Sequence, residues 1–375
     1  MSKNYYSLGL MSGTSMDGVD VSIIKSDGDI EFKGIFNKYF EYSDQFSKKI
    51  LKIRDKINNT KDLNLYSKEL NNIEKEITLF HAKVTNEAIK EVNSNIDIIG
   101  FHGQTIFHSA KEMVSKQLGD GKLLSQETKK KVVYDFRQND LKNGGEGAPL
   151  TPIFHKLISE KIKVEPPLCV INLGGIANIT SIESGEISDL GSQDIGPGNC
   201  LIDEWIKKNT NKKYDKDGSI AKSGKKDILI LNQALDNHDN LKKKNILSYD
   251  TKDFDLSFVR GLSLEDGAAT LTEFTGKLLA EATLNYISKL KTKPKKILVC
   301  GGGRKNSTLI NCLKDNMNIG NLVENIDNFG VDGDFIESQA FAYLAIRSFL
   351  NLPISFPKTT GCKHPSTGGK LVNNF

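Results

Sequence analysis

The chain has 375 residues, 38% of them hydrophobic and 26% charged, with a net charge of +4. That length exceeds one ordinary core and implies two domains. The small charge, with lysines scattered among acids, argues against a nucleic-acid groove, and no apolar run is long enough to span a bilayer. Lys129–Lys131 and Lys242–Lys244 read as solvated faces. Five widely spaced cysteines (Cys169, Cys200, Cys300, Cys312, Cys362) contain no C-x-x-C pair. They argue against a disulfide framework or a zinc site and for a reducing cytoplasm. Gly13 to Asp20 interrupts the N-terminal apolar run, so no signal peptide is expected.

In chain order, Tyr5–Leu10 reads as an apolar strand that breaks at Met11-Ser12-Gly13-Thr14-Ser15-Met16-Asp17-Gly18 and resumes as the β-branched strand Val19–Lys25. Ile30–Tyr39 is a third strand. From about Leu65 to Val92, Leu70, Ile73, Ile77, Phe80, Val84 and Ala88 recur every three or four residues, the stripe of an amphipathic helix. Ile96–Phe101 and Lys131–Tyr134 are short strands, and Pro149 and Pro152 open a helix to about Lys163. The opening theme then returns: strand Leu168–Leu173, turn Gly174-Gly175, strand Ile176–Ile182. Two such units predict a duplicated α/β fold. Helices follow over Asn199–Lys208, Asp227–Asn237 and Gly267–Leu290. The strand Ile297–Cys300 ends in Gly301-Gly302-Gly303, and helices Asn306–Asp315 and Phe335–Leu350 come after it. Glu165-Pro166-Pro167 reads as a connector. The expected domains are therefore 1–165, completed by the loop-rich tail 352–375, and 166–351.

A Gly/Ser/Thr turn that carries an Asp offers converging N–H groups, hydroxyls and one carboxylate, a combination suited to a phosphate chain and its magnesium ion. By itself it also fits an ordinary hairpin turn. The glycines after Cys300 leave room for a flat ligand, or simply make a tight strand-to-helix turn.

Together the three glycine turns resemble the nucleotide cleft of the actin, Hsp70 and sugar-kinase superfamily, a two-domain, ribonuclease H-like duplicated fold with an interdomain nucleotide cleft. The resemblance narrows with GLMSGTSMDGVD at 9–20, FHGQTIFH at 101–108, YDFRQNDLKNGGEGAPL at 134–150, NLGGIANIT at 172–180, DIGPGN at 194–199, DGDFIESQAFAYLA at 332–345 and FPKTTG at 356–361. In this order the strings resemble the motif set of the anhydro-N-acetylmuramic acid kinases, nearly end to end. The resemblance implies an enzyme that uses ATP, Mg2+ and water on 1,6-anhydro-N-acetylmuramic acid. It opens the anhydro bridge and yields N-acetylmuramic acid 6-phosphate, in the recycling of cell-wall sugars. It also suggests a homodimer; the cytoplasmic location and the lack of a nucleic-acid or membrane partner rest on the cysteines and the charge distribution. Two departures stand out: Ile195 where the family carries Thr, and Tyr249–Phe254 where it carries a segment like P-K-S-T-G-R.

On this resemblance Asp194 is the expected general base, since water must attack the anomeric carbon while O6 takes the γ-phosphoryl group. Without it, the spacing favours Asp194 as a cap for the following helix or its turn. ATP is expected against Gly13, Thr14, Ser15, Met16, Asp17, Gly18, Val19 and Asp20, against Gly174 and Gly175, and on its adenosine side against Gly301 and Gly302. Asp17 is the expected magnesium partner, through water. The sugar is assigned to His102, Gln104, Arg137 and Glu337, while His108 reads as structural. An isolated histidine is usually structural, and that reading stands beside the sugar role of His102. Gln104 suits a hydroxyl or an acetamide. Arg137 suits the lactyl carboxylate, a phosphate oxygen, or an ion pair with Asp135 or Asp140. Glu337 suits the sugar ring or only its helix dipole. A plain sugar kinase and a chaperone-like ATPase of the same superfamily are the competing functions. Closure of the domains over ligand is expected.

Overall fold

The computed structural model describes residues 3–241, 249 and 251–375; Lys242–Lys244 and Asp250 lie outside the described residues. Internal contacts divide the chain into two units, Met1–Lys163 with Phe335–Phe375, and Val164–Asp334.

The first unit is built on β1 (Tyr5–Ser12), β2 (Gly18–Ser26), β3 (Phe32–Glu41), β4 (Ile98–Ser109), β5 (Val114–Leu118), β6 (Lys131–Tyr134) and β12 (Lys370–Val372). The sheet runs β12-β6-β4-β1-β2-β3, with β5 paired to the far end of β4. Neighbours β1, β2 and β3 are antiparallel, whereas β1, β4 and β6 are parallel. The second unit holds β7 (Leu168–Leu173), β8 (Ile176–Ile182), β9 (Leu190–Pro197), β10 (Lys296–Cys300) and β11 (Val323–Asn325), in the order β11-β10-β7-β8-β9. Its first three strands are likewise antiparallel and its last two parallel to the first. Each unit therefore winds its strands 3-2-1-4-5, which establishes the duplication by topology and the two-domain α/β class with it.

The helical stripe behaves as its spacing predicts. Helix Ser67–Val92 buries Leu70, Ile73, Ile77, Val84 and Ala88 and ends on Asn93 in the left-handed region. These side chains join Leu8, Leu10, Val19, Val21 and Ile99 in one core. At about 1.5–3 kcal/mol per buried aliphatic side chain, that core dominates the unit's stability. The second core gathers Cys169, Ile171, Ile179, Ile297 and Val299 under helix Leu264–Ser288.

Three features depart from expectation. Residues 335–351 were expected in the second domain, yet helix Ile336–Phe349 belongs to the first unit. The reason is close packing: a Cβ on Gly9 would overlap the Ser338 carbonyl, and one on Gly100 the Phe341 carbonyl. Two glycines thus let this helix lie flat on β1 and β4. Secondly, β4 continues through the HGQTIFH string to Ser109, because β5 supplies a hairpin partner. Thirdly, Leu190–Pro197 is a strand where none was expected, its Gly, Ser, Asp and Pro content disfavouring one; pairing with β8 overrides that local composition. Helix Asp44–Lys56, capped by Ser43, is a further element that the spacing did not bring out.

Candidate active site

In the first unit the β1–β2 turn is shaped by its backbone. Met16 adopts φ 54° and its N–H closes on the Gly13 carbonyl at 3.2 Å. Met16 and Val19 bury their side chains in the core, so only their backbone can face a ligand. Thr14 is exposed, while Gly13, Ser15, Asp17 and Asp20 are half-buried. Asp17 accepts a hydrogen bond from Ser15 Oγ at 2.5 Å, and its carbonyl accepts from the Tyr42 N–H at 2.8 Å. The Tyr39 hydroxyl is held well above its ordinary pKa, first by burial and then by Asp17, Asp20 and Glu41. Its ring lies over Gly18, where a Cβ would come within 2.5 Å of it.

Gln104 ties this turn down from β4. It is fully buried, its Nε2 donates to the Gly13 carbonyl at 3.0 Å, and its Oε1 lies 2.8 Å from Ser12 Oγ. Ser12 Oγ also sits 2.7 Å from the Gly18 carbonyl and 3.2 Å from the Tyr42 hydroxyl. Both ends of the Gln104 amide therefore engage the turn itself.

Two residues further back, His102 is buried against Phe341, with ring centroids 4.5 Å apart. Its Nδ1 donates to the Gly103 carbonyl at 2.8 Å, which leaves Nε2 to accept from Arg137 Nε and Nη2 at 3.2 and 3.0 Å. Burial, then the guanidinium, hold His102 far below the ordinary histidine pKa, and so neutral. Arg137 Nη1 donates to the Gly147 carbonyl at 2.7 Å. The two aspartates weighed as its ion-pair partners have other engagements: Asp135 pairs with Lys370 at 2.7 Å. Asp140, fully buried, accepts from Ser355 at 2.5 Å, Thr360 at 2.7 Å and the Gly147 N–H at 2.7 Å. That hub joins the GGEGAPL and FPKTTG strings and sets the carbonyl that Arg137 grips. It is a site feature that residue types alone did not reveal. His108 Nδ1 meets Ser115 Oγ at 3.0 Å, inside the β4–β5 hairpin. Glu337 lies half-buried in the first turn of helix Ile336–Phe349, and hence in the same unit as His102, Gln104 and Arg137.

In the second unit the Gly174-Gly175 turn receives the start of helix Cys200–Asn209. The Gly174 carbonyl accepts from the Asn199 N–H at 2.8 Å and the Gly175 carbonyl from the Gly198 N–H at 2.9 Å. A Cβ on Gly198 would strike the Gly174 carbonyl, so that approach requires glycine. Asp194 stands on β9 beside a β-bulge: Asn178 pairs with Asp194 and Ala177 with Gly196, which leaves Ile195 as the extra residue. Ile195 turns into the apolar core, away from the Asp194 face, so its departure from the family's Thr is absorbed by packing. Asp194 Oδ2 accepts from the Tyr249 N–H at 3.0 Å, so the altered 249–254 segment bears directly on the candidate base.

The Gly301 N–H donates to the Gly333 carbonyl at 3.0 Å with φ 80°, and a Cβ on Gly302 would meet no heavy atom within 4 Å. Arg304 locks this loop. Its buried guanidinium donates to the Gly301 carbonyl at 3.1 Å, to Asp327 at 2.9 and 3.0 Å, to Asp332 at 3.2 Å and to Asp334. Residue spacing alone did not point to this cluster either.

Among the described residues no group of three His, Cys, Asp or Glu side chains could cage a metal ion, and no helix is long and apolar enough to cross a membrane.

Residues 5–374 match the family model described as anhydro-N-acetylmuramic acid kinase. A protein of that name from Pelagibacter ubique is 55% identical over 375 residues, covering all of both chains. Another, from Zymomonas mobilis, is 42% identical and covers 97% of this chain and 98% of its own. Solved structures are more distant. Component A of the (R)-2-hydroxyglutaryl-CoA dehydratase of Acidaminococcus fermentans has a TM-score of 0.46 at 11% identity, covering 92% of this chain and 98% of that one. A glucokinase of the ROK family from Streptomyces griseus has a TM-score of 0.38 at 11% identity, covering 91% and 99%. At those scores neither protein bears on the chemistry of this chain.

Proposed function

The chain belongs to the anhydro-N-acetylmuramic acid kinase family, and on that premise we propose how its residues divide the reaction. The enzyme takes 1,6-anhydro-N-acetylmuramic acid, ATP and water to N-acetylmuramic acid 6-phosphate and ADP. The observation that carries this reading is full-length identity of 55% to a relative of that name.

In the anhydro sugar O6 is tied to the anomeric carbon, so no 6-hydroxyl exists to phosphorylate. Asp194 takes a proton from water as the water oxygen bonds to the anomeric carbon. The C1–O6 bond breaks, O6 bonds to the γ-phosphorus, and the bond to ADP breaks; the proton passes on to solvent. A carboxylate whose one oxygen is set by the Tyr249 N–H, on a strand bent by a bulge, suits a base that must be aimed.

The turn at Gly13–Asp20 in one unit and Gly174-Gly175 in the other are assigned to phosphate handling, where backbone donors supply positioning and charge stabilisation. Gly301 and Gly302 are assigned to adenosine, and the open space beside Gly302 supports this. His102, Arg137 and Glu337 are assigned to the sugar. The neutral His102 orients the guanidinium, which offers a planar fork for the lactyl carboxylate. Gln104 is assigned with them, acting through the turn that both ends of its amide hold.

For magnesium the donor set fits. Asp17 is a single carboxylate beside a serine hydroxyl, and Mg2+ takes one or two carboxylates with phosphate oxygens and several waters, not an all-protein cage. Bound there, it would neutralise charge on the phosphates. A cytoplasmic homodimer completes the reading, to be checked by sedimentation.

The test is product analysis with anhydro sugar, ATP and 18O-labelled water, quenched before anomeric exchange. Label at the anomeric hydroxyl, with O6 unlabelled and phosphorylated, is expected. Faster turnover of the hydrolysed sugar than of the anhydro form would make the enzyme a plain sugar kinase.

A further inference from the structure

Asn178, which has no part in the reaction as divided among those residues, carries an unexplained polar atom. Its Oδ1 is buried and has no hydrogen-bond partner among the described residues. Buried side-chain acceptors are nearly always satisfied, and the exceptions mark strain, catalysis or an absent water. Its place in the second unit's sheet narrows the choice. β10, β7, β8 and β9 align Cys300 with Asn172, Asn172 with Asn178, and Asn178 with Asp194. Along β8, Ala177 and Ile179 enter the apolar core, so Asn178 between them faces the other way, with Asp194. Directly opposite residues of an antiparallel pair hold their Cβ atoms about 4.5–5.5 Å apart. One water molecule can bridge an amide oxygen and a carboxylate at that separation.

The neighbouring members of the row do not meet the need. The Cys300 thiol lies 3.8 Å from Asn172 Oδ1, so that weak donor faces the amide one strand over. The bulge at Ile195 directly follows the Asn178–Asp194 pair and re-aims the carboxylate at its edge.

We propose that Asn178 Oδ1 is a second acceptor for the water that Asp194 activates, and so a further catalytic residue. The inference rests on Asp194 being the base. A water molecule has two protons: Asp194 removes one, and Asn178 accepts a hydrogen bond from the other. With both directions fixed, a lone pair of the water oxygen is turned toward the anomeric carbon. The hydrogen bond to Asn178 persists as the C–O bond forms, and Asn178 itself neither gains nor loses a proton.

The experiment compares Asn178→Leu, Asn178→Asp and Asp194→Asn by steady-state kinetics on the anhydro sugar and by thermal melting. Leucine keeps the branched four-atom shape, with somewhat more bulk, and removes the acceptor. The expected result is a 30- to 100-fold lower kcat, with both KM values within about twofold and a melting temperature unchanged or raised, since deleting a buried orphan acceptor does not weaken the fold. Aspartate, which keeps an acceptor, should retain several times more activity than leucine. A leucine variant with kcat within twofold of the parent, or one that melts lower and loses ATP affinity in step with kcat, overturns the role of Asn178. If Asp194→Asn is inactive in the same assay, that failure concerns Asn178 alone. Near-normal turnover by Asp194→Asn overturns the base assignment, and this inference with it.

Discussion

Replacing Gln104 by leucine separates two roles that residue type alone leaves open. The side chain is fully buried, and its amide makes two contacts, 3.0 Å to the Gly13 carbonyl and 2.8 Å to Ser12 Oγ. Leucine has nearly the same volume, so no large cavity opens and the loss is polar. Two buried hydrogen bonds contribute about 1 kcal/mol each, about 2 kcal/mol in all, while the Gly13 carbonyl keeps the Met16 N–H. In a unit of about 200 residues this lowers the melting temperature by about 4–8 °C. Because the released turn is the one assigned to phosphate, KM for ATP should rise about tenfold while KM for the sugar stays within twofold. Calorimetry and initial-rate kinetics on one preparation measure both. An unchanged melting temperature with a raised sugar KM would refute the reasoning and make Gln104 a direct sugar contact.

Arg137→Lys keeps the charge but not the fork that joins His102 and Gly147. A sugar KM about tenfold higher, with kcat within threefold, is expected, and unchanged sugar kinetics would remove Arg137 from the site. Burial lowers the pKa of His81 to about 4 and of His155 to about 3, and holds His102 down as well. All three stay neutral in the fold while the unfolded chain protonates below about pH 6.5. Stability is therefore lost as pH falls, by about 1.5 kcal/mol for each of His81 and His155 between pH 6.5 and 5 and in the same direction for His102, with no such contribution above pH 7. Urea titrations at pH 7, 6 and 5 measure it, and a flat profile would contradict the burial argument. Gly9→Ala places a methyl group against the Ser338 carbonyl and 2.6 Å from the Ala342 nitrogen. It should destabilise the first unit by about 3 kcal/mol or more, and a melting curve that matches the parent would show that helix Ile336–Phe349 shifts without difficulty.

The sequence by itself determined the ordered motifs, the paired strand-turn-strand units and the helical stripe of Ser67–Val92. Such features are local: a period of two or 3.6, or a glycine beside an apolar run, is legible because each residue's own geometry produces it. Tertiary structure decided that helix Ile336–Phe349 joins the first unit, since two glycines about ninety positions apart make the groove that receives it. It decided that Leu190–Pro197 is a strand, because β8 supplies the partner. It also decided that Gln104 grips a turn, that Asp140 unites two distant strings, and that Asn178 stands opposite Asp194. Hydrogen-bond partners far apart along the chain leave no periodicity behind, so only the folded backbone could bring them to light.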